Sequence, residues 1–440
     1  MNRPAALSGF PELLPGPRIV EQRVVEQLSR AFELHGYGSI STRAVEPLEQ
    51  LLRKGETSKE VYVLRRLQAE EADSTDSGLG LHFDLTVPLA RYVLENAGKL
   101  QFPFKRYQIQ PCWRGERPQE GRYREFWQAD IDIVDRDDLS SHYEVELPQV
   151  ISDALKPLPL PRMTMHVNNR KLSQGFYRGV GIDDPMAAIR IIDKLDKIGP
   201  DGVAGLLEET LGATADQIRL CLELAQINST DESFVDRVRR LKVTDPMLEE
   251  GLEELAAVVG AAAEQDPGLV VADLSIARGL DYYTGTVYET FMSGYESLGS
   301  VCSGGRYDNL ATDGKNRYPG VGLSIGVSRM IIPLLNRNVL AATRDVPTCV
   351  LVALPDAESR RDCDRIAATL RGRGIACEVA PAAQKYGKQI RFAQRRGIPY
   401  VWFPDSGEVR DIRSGEQSAA DVHTWAPPRE DLRPGILRRD

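Results

Sequence analysis

Arginine, amide and carboxylate side chains occupy most of the alternate positions in two neighbouring stretches, 104–114 and 124–134. Such alternation predicts two strands, each with one polar and one apolar face. The predicted polar face carries Arg106, Gln108, Gln110, Arg114, Arg124, Phe126, Gln128, Asp130 and Asp132. Guanidinium, amide and carboxylate groups on one surface suit a ligand that is anionic at one end and cationic at the other.

The segment between the two stretches contains Pro118 and Gly121, which favour a loop, so the pattern predicts an antiparallel hairpin. The opposite face is mainly apolar and carries Tyr107, Ile109, Pro111, Trp113, Trp127, Ala129, Ile131 and Ile133. Because an antiparallel sheet can bury one face and present the other, we expect the polar face to be accessible to a ligand.

The chain has 440 residues, of which 42% are hydrophobic and 27% charged, so two or three domains are expected. No apolar run is long enough for a membrane span, and the N-terminus lacks a signal-peptide pattern. We therefore expect a cytoplasmic protein. The net charge of −9 means that binding to nucleic acid would require local basic patches.

The six cysteines are scattered without a C-x-x-C pair, and the five histidines have no metal-ligand spacing. We interpret the cysteines as reduced core thiols, and we assign no metal ligand to any protein side chain.

The pattern of helix-like and strand-like stretches divides the chain into five segments. The first part of a catalytic domain is predicted at 1–184, and its second part at 266–335. Between them, 185–265 is rich in helical periodicity without an interrupting strand pattern, which predicts a helical insertion. A linker is expected at 336–347, followed by a small α/β domain with a largely parallel sheet at 348–440.

Several local elements follow from periodicity. An amphipathic helix is predicted at 18–35 and a second helical stretch at 48–53. If 82–86 is extended, His82, Asp84 and Thr86 share one face. In the last domain, residues 385–396 form a basic helix.

Three further motifs occur in order. Arg278-Gly279-Leu280-Asp281-Tyr282-Tyr283 follows a predicted strand, and Ser303-Gly304-Gly305-Arg306-Tyr307-Asp308 contains a glycine-rich turn. Gly320-Val321-Gly322-Leu323-Ser324-Ile325-Gly326 then leads into a predicted helix with Arg329. Each motif alone has an ordinary structural reading as a tight turn, core aromatic residues or a surface ion pair.

Together these motifs resemble those of the histidyl-tRNA synthetases, which are class II aminoacyl-tRNA synthetases. The hairpin at 104–134 resembles the second class II motif, 320–329 the third, and the helix at 18–35 with Pro47 the first, which builds the dimer interface in that class. The two remaining motifs resemble segments particular to the histidine family. The resemblance implies an α+β catalytic domain built on an antiparallel sheet, a helical insertion, a C-terminal α/β anticodon-binding domain and a homodimer.

The activity that the resemblance implies has two steps. ATP, with Mg²⁺ on its phosphates, activates L-histidine to histidyl-adenylate, and the histidyl group passes to the 3′ end of tRNA(His). Neither step needs a protein nucleophile. In the family, Arg114 would bind the α-phosphate and the attacking carboxylate, and Arg329 the γ-phosphate. Arg278 would act as a fixed cation near the α-phosphate, while Glu116 and Phe126 would contact the adenine.

The resemblance also implies substrate-binding residues. For the amino end of histidine and the nearby ring they are Asp84, Thr86, Gln128 and Asp132, and for the imidazole Tyr283 and Tyr307. Many bacterial members have Glu-Gly-Thr where this chain has Asp84-Leu85-Thr86. For tRNA, the implied contacts are Arg117 and Gln119 in the hairpin loop and Lys385, Lys388 and Arg391 in the basic helix. The basic helix has an alternative reading as a solvated face.

Two other functions remain open. A catalytically inactive synthetase paralogue could regulate histidine biosynthesis, but such proteins generally lose the 278–283 segment and the C-terminal domain, which this chain has. A class II synthetase for a different amino acid would also contain the class motifs. The segments that contain Tyr283 and Tyr307 favour histidine.

Overall fold

The computed structural model describes residues 5–52, 60–66, 78–276 and 283–439. The chain forms two compact units. Unit 1 comprises Met1–Pro11 and Val25–Ile332, and unit 2 comprises Glu12–Val24 and Pro333–Asp440.

The described helices belong to both units. They are α1 (Pro15–Leu34), α2 (Leu48–Leu52), α3 (Thr86–Asn96), α4 (His142–Leu155), α5 (Arg170–Gly179), α6 (Pro185–Ile192), α7 (Leu195–Leu211), α8 (Ala215–Ala225), α9 (Ser233–Arg239), α10 (Pro246–Gln265), α11 (Val327–Asn336), α12 (Arg360–Gly372), α13 (Tyr386–Arg396) and α14 (Arg429–Leu432). Within these ranges no helix has the length and apolar character needed to cross a bilayer.

The described strands belong to both units. They are β1 (Gly38–Ser39), β2 (Val45–Pro47), β3 (Val63–Leu64), β4 (Leu79–Leu81), β5 (Phe104–Trp113), β6 (Glu125–Val134), β7 (Met163–Asn169), β8 (Asn228–Ser229), β9 (Val270–Asp273), β10 (Tyr283–Met292), β11 (Cys302–Thr312), β12 (Arg317–Gly326), β13 (Leu340–Ala342), β14 (Val350–Val352), β15 (Cys377–Val379), β16 (Tyr400–Phe403), β17 (Glu408–Asp411), β18 (Gln417–Ala419) and β19 (Ile436–Arg438).

Unit 1 is built on a nine-stranded sheet in the order β1-β5-β6-β12-β11-β10-β7-β9-β8. The six central strands, β5-β6-β12-β11-β10-β7, pair antiparallel with one another. By contrast, β1 pairs with β5, and β9 with β7, in parallel. The predicted antiparallel sheet is therefore confirmed.

The predicted hairpin is formed by β5 and β6 in a continuous ten-residue register. Arg106 lies opposite Asp132, and Gln108 lies opposite Asp130, so the predicted polar face is real. The expectation that this face is freely accessible was wrong over much of its length. Arg106 and Gln108 are fully buried, and Asp130 is 2% exposed.

Helix α1 confirms the predicted amphipathic helix. Val20, Val24, Leu28 and Ala31 are all buried, and Gly36 follows the helix with a positive φ of 80°. His82, Asp84 and Thr86 would share one face only if 82–86 were extended, and this condition is not met. Strand β4 ends at Leu81, and Thr86 is the first residue of α3.

The segment at 185–265 contains α6 to α10, as the periodicity predicted, and belongs to unit 1. The prediction that no strand interrupts this segment was wrong, because Asn228 and Ser229 pair with β9 at the edge of the large sheet. Two residues cannot show alternation, so sequence gave no signal for this strand. The boundaries of a separate insertion domain stay a prediction.

Unit 2 contains a five-stranded sheet in the order β15-β14-β16-β17-β18. Strand β14 pairs in parallel with β15 and β16, but β17 and β18 add an antiparallel half, so "largely parallel" was wrong. Helix α12 buries Cys363, Ala367 and Leu370. The predicted linker at 336–347 contains β13, which pairs with β19.

Candidate active site

A cleft in unit 1 gathers side chains from the hairpin, its loop and the third motif. It is lined by Arg114, Glu116, Gly121, Arg122, Tyr123, Phe126, Gln128, Ser300, Val301, Ser303, Ser324, Gly326 and Arg329. Five of the predicted site residues therefore share one cavity: Arg114, Glu116, Phe126, Gln128 and Arg329.

Three guanidinium groups approach this cleft. Burial lowers the pKa of Arg329, and the positive charges of Arg122 and Arg114 lower it further. Arg329 is held in place because its Nε donates to the carbonyl of Gly121 at 2.9 Å and its Nη1 to that of Ser300 at 2.8 Å. Like charges held together in this way favour a polyanionic ligand.

Arg114 is oriented by both backbone and ring contacts. Its Nε donates to the carbonyl of Phe83 at 3.0 Å, and its guanidinium carbon lies 5.1 Å from the centre of the Phe126 ring. Glu116 lies between two cations, 4.0 Å from Arg114 and 3.8 Å from Arg122. A positioned, permanently charged fork of this kind can bind a phosphate through paired donors.

Beneath the cleft, β5 and β6 form a buried surface that we call the polar wall. It consists of Arg106, Gln108, Gln128, Asp130 and Asp132. Arg106 Nη2 lies 2.5 Å from Asp132 Oδ2, and the Tyr307 hydroxyl donates to Asp132 Oδ1 at 2.7 Å. Asp132 and Tyr307, both predicted to bind histidine, therefore contact each other.

Gln128 is the wall residue that lines the cleft. Its Nε2 donates to Ser324 Oγ at 2.5 Å and to Asp130 Oδ1 at 3.3 Å. Its Oε1 is buried and accepts no hydrogen bond from any residue that the structure describes. A buried acceptor without a donor is costly and rare, so this oxygen is well suited to accept a hydrogen bond from a ligand.

Two glycines of the third motif make room for the wall. A Cβ on Gly320 would lie 2.5 Å from the Tyr307 ring, and a Cβ on Gly322 would collide with the Asp132 carboxylate. The register explains both contacts, because Gly322 is the Cα partner of Asp132, and Gly320 that of Tyr307. These glycines are required by close approach rather than by a turn.

Asp84 and Thr86 lie at the start of α3. Asp84 is 5% exposed, and its Oδ1 accepts from the backbone N–H of Val87 at 3.1 Å. This bond satisfies one of the helix's N-terminal donors, which explains why an Asx side chain occurs there. Burial raises the pKa of Asp130, and the Asp84 charge adds to this rise, so the two carboxylates are electrostatic neighbours. Neither Asp84 nor Thr86 lines the cleft as it stands.

Tyr283 is the Cα partner of Tyr307 in the β10–β11 pair, so the two predicted imidazole contacts come from adjacent strands. Tyr307 is 3% exposed, whereas Tyr283 is half-buried. Arg278, together with the rest of its motif up to Tyr282, lies outside the described residues, so its predicted role stays a prediction.

Comparison with known proteins agrees with this geometry. A family model described as histidyl-tRNA synthetase matches residues 9–330, and an anticodon-binding domain model matches 342–422. The histidine–tRNA ligase of Cutibacterium acnes is 59% identical over 99% of each chain. The chain belongs to the histidyl-tRNA synthetase family.

Other relatives extend the likeness. The histidine–tRNA ligase of Thermobifida fusca is 51% identical over 96% of this chain and 98% of its own. The crystal structure of histidyl-tRNA synthetase from a Nostoc species has a TM-score of 0.85 at 32% identity, covering 95% of this chain and 97% of that one. The fold is thus that of a class II synthetase. An ATP phosphoribosyltransferase regulatory subunit/histidyl-tRNA synthetase from Bacillus halodurans, at 18% identity and a TM-score of 0.72, shares the fold.

The surfaces that histidyl-tRNA synthetase family members are expected to use for tRNA are exposed here. Arg117 and Gln119 are exposed in the hairpin loop, where Gln119 pairs with Arg122. In unit 2, Lys388 and Arg391 are exposed on α13 and line a second cavity, and the exposed Lys385 precedes the helix. Their contact with tRNA stays a prediction.

Sequence reasoning missed several cleft residues. Arg122 follows Gly121 in the loop, and Ser324 lies within the third motif, but neither was chosen as a site residue. Asp130 was on the predicted polar face without a role. The available signal was the strand alternation, which places Asp130 between Gln128 and Asp132 on the same face.

Proposed function

We propose that the chain is a histidine–tRNA ligase. It activates L-histidine with ATP to histidyl-adenylate, releasing pyrophosphate, and transfers the histidyl group to the 3′ end of tRNA(His). The observation that carries the proposal is the convergence of Arg114, Gln128 and Arg329 on one cleft of a chain in the histidyl-tRNA synthetase family. The cleft combines cations for phosphates with a buried acceptor for an ammonium group.

Activation requires attack of the histidine carboxylate on the α-phosphate of ATP. Arg114 binds both groups, Arg329 binds the γ-phosphate, and Arg278 provides a further fixed cation. Phe126 and Glu116 contact the adenine. Catalysis comes from positioning and from stabilising the charge that develops on the phosphate oxygens, without a protein nucleophile.

Mg²⁺ accompanies ATP in this proposal. Among the described residues, no group of three or more His, Cys, Asp or Glu side chains is arranged to hold a metal ion. Phosphate oxygens and water are the ligands that Mg²⁺ prefers alongside one or two carboxylates, so the nucleotide itself supplies the principal ligands. The ion neutralises phosphate charge when it is bound.

Histidine is recognised at the polar wall. Gln128, Asp84 and Thr86 receive the amino end, while Asp132, Tyr283 and Tyr307 surround the imidazole. The contact between Asp132 and the Tyr307 hydroxyl supports a preformed pocket. A pocket whose polar groups must be paired rejects analogues that lack the partner, so discrimination needs no editing step.

The tRNA is bound at two places. Arg117 and Gln119 meet the acceptor end, and Lys385, Lys388 and Arg391 attract the phosphates of the anticodon region. These local cations are needed because the whole chain has a net charge of −9. We further propose that the chain forms a homodimer, as the first class II motif implies, and that it works in the cytoplasm.

The proposal is tested by ATP–pyrophosphate exchange with purified protein and each of the twenty amino acids. We expect exchange only with histidine. Exchange with a different amino acid would identify a different class II synthetase. No exchange with histidine, together with a tight complex with a phosphoribosyltransferase, would instead support the regulatory paralogue.

The Arg278→Ala variant tests the residue outside the described ranges. Losing one preorganised charge-stabilising donor should lower the adenylation rate by roughly 10²-fold or more. An unchanged rate would remove its proposed role.

A further inference from the structure

The two ends of the Gln128 amide differ in their hydrogen bonding. Its Nε2 donates to both Ser324 and Asp130, while its buried Oε1 has no donor among the residues that the structure describes. An amide can rotate by half a turn and exchange these two ends at little steric cost. Some neighbouring group must therefore decide which end meets the ligand.

Asp130 is the neighbour that can make this decision. An ionised carboxylate only accepts hydrogen bonds, so it selects the NH₂ end of the amide. The serine hydroxyl beside it both donates and accepts. Gln128 Nε2 donates to this hydroxyl at 2.5 Å and to Asp130 Oδ1 at 3.3 Å. Of the two contacts, only the one with the Asp130 carboxylate requires the NH₂ end of the amide.

The strand register holds these three groups together. Asp130 is the Cα partner of Ser324 in β12 and of Gln108 in β5, and Gln128 is two residues along the same face of β6. Burial raises the pKa of Asp130 and the Asp84 charge adds to this rise, while the Arg106 guanidinium and the hydrogen bonds from Ser324 and Gln128 act in the opposite direction. Because Arg106 has no exposed surface, water screens its attraction for Asp130 only weakly.

We propose that Asp130 is a positioning residue for histidine binding: it orients the Gln128 amide so that Oε1 accepts a hydrogen bond from the substrate ammonium. The inference rests on the proposed function. Asp130 acts through Gln128 and does not touch the reacting atoms. If the amide turned over, its NH₂ group would face the ammonium, and two donors would meet.

The test is the Asp130→Asn variant, assayed by ATP–pyrophosphate exchange. The new side chain has the same shape, but its NH₂ group can donate to Gln128 Oε1 and hold the amide the wrong way round. We expect KM for histidine to rise about 10- to 100-fold, the range for losing one hydrogen bond to a charged group, with KM for ATP changed less than about threefold. Equal rises in both constants, or no rise in either, would overturn the proposal.

A double-mutant cycle separates positioning from a general structural role. In a Gln128→Met background there is no amide to orient, so adding Asp130→Asn should change KM for histidine by less than about threefold. An undiminished effect of Asp130→Asn in that background would show that Asp130 acts independently of Gln128. If Asp130→Asn does not fold, Asp130→Ala removes the same acceptor without adding a donor or volume and is judged by the same criteria.

Asp273→Asn is the matched control. Asp273 belongs to the same sheet and accepts from His166 Nδ1 at 2.8 Å, but it lies on β9, outside the polar wall. We expect it to leave KM for histidine unchanged. The wild-type protein distinguishes the two levels of the account: absence of histidine-dependent exchange there contradicts the proposed function, whereas failure of Asp130→Asn alone contradicts only the positioning role.

Discussion

Two polar clusters in this chain differ in how completely their groups are paired. In unit 2, Asp431 accepts from the Tyr400 hydroxyl at 2.7 Å through Oδ2, and Arg413 donates to both Asp431 oxygens at 2.7 Å. We call Tyr400, Arg413 and Asp431 the anchor cluster. In the polar wall of unit 1, by contrast, Gln128 Oε1 has no partner within the described ranges.

The difference indicates different uses of buried polarity. Full pairing makes a buried network rigid and offers a ligand nothing, whereas an open acceptor costs stability unless a ligand completes it. The anchor cluster is therefore expected to stabilise unit 2, and the polar wall to serve binding. Changes in the wall should reduce activity more than stability, and changes in the anchor cluster should do the reverse.

The largest effect is expected from Arg114→Ala. Removing a preorganised cation from the cleft should lower the rate of histidyl-adenylate formation about 10²- to 10³-fold. The free energy of unfolding should change by less than about 1 kcal/mol, because Arg114 is partly exposed and its removal leaves no buried charge unpaired. Single-turnover kinetics and urea unfolding measure the two quantities, and a larger loss of stability than of rate would reverse the comparison.

The next effect is that of Gln128→Met, which keeps the length of the side chain but removes the open acceptor. We expect kcat/KM for histidine to fall about 10- to 100-fold, in line with losing a hydrogen bond to a charged donor. Stability should be nearly unchanged, because the unpaired buried oxygen is removed together with the amide's own hydrogen bonds. Steady-state exchange kinetics check the first point and thermal unfolding the second.

A smaller effect is expected when a side chain of the polar wall is displaced rather than truncated. In Gly322→Ala the new methyl group meets the Asp132 carboxylate, which must move away from Arg106 and Tyr307. Overpacking of this kind destabilises by about 1–3 kcal/mol, and KM for histidine should rise with little change in KM for ATP. Gly98→Ala is the matched control in unit 1, because no atom lies within 4 Å of the Cβ that it would carry. An identical response of the two variants would contradict the assigned contact.

In the anchor cluster, Asp431→Asn should lower the free energy of unfolding by about 1–2 kcal/mol, because the Arg413 guanidinium loses its charged partner. The loss is limited because the Arg413 side chain is half-exposed and water screens its charge. Adenylation per folded molecule should not change. Loss of adenylation without loss of stability would mean that the two clusters do not differ as proposed.

The pH dependence of unfolding gives the smallest signal. Although burial opposes it, hydrogen bonds from Arg413 and Tyr400 lower the pKa of Asp431. A carboxyl group with a lowered folded-state pKa stabilises the fold above its unfolded pKa, about 3.9, and this stability is lost as pH falls through the folded value. Wild type should therefore lose more stability than Asp431→Asn between neutral pH and about pH 3. Parallel stability curves for the two proteins would contradict the pairing.

Sequence alone predicted the hairpin well, because alternation over ten residues in each strand leaves little freedom of register. It also predicted the meeting of Arg114, Gln128 and Arg329, although only through the family resemblance. It left the conformation of 82–86 open, because a short run fits an extended chain as well as the start of a helix. It also gave no sign of the anchor cluster, since Tyr400 and Asp431 are joined only by the folding of unit 2.

The open acceptor was beyond sequence for a different reason. Alternation places Gln128 and Asp130 on one face, but it does not say which end of an amide is committed. That depends on Ser324, which β12 brings opposite Asp130. Such long-range pairing is visible only when the strands are assembled.

The central claim is that the Gln128 oxygen is kept for the substrate ammonium. It is tested most directly by comparing pyrophosphate exchange with histidine and with its α-hydroxy analogue, in wild type and in Gln128→Met. We predict that wild type prefers histidine by at least about tenfold in kcat/KM and that the preference largely disappears in the variant. The same preference in both proteins, or no histidine-dependent exchange in wild type, would contradict the account.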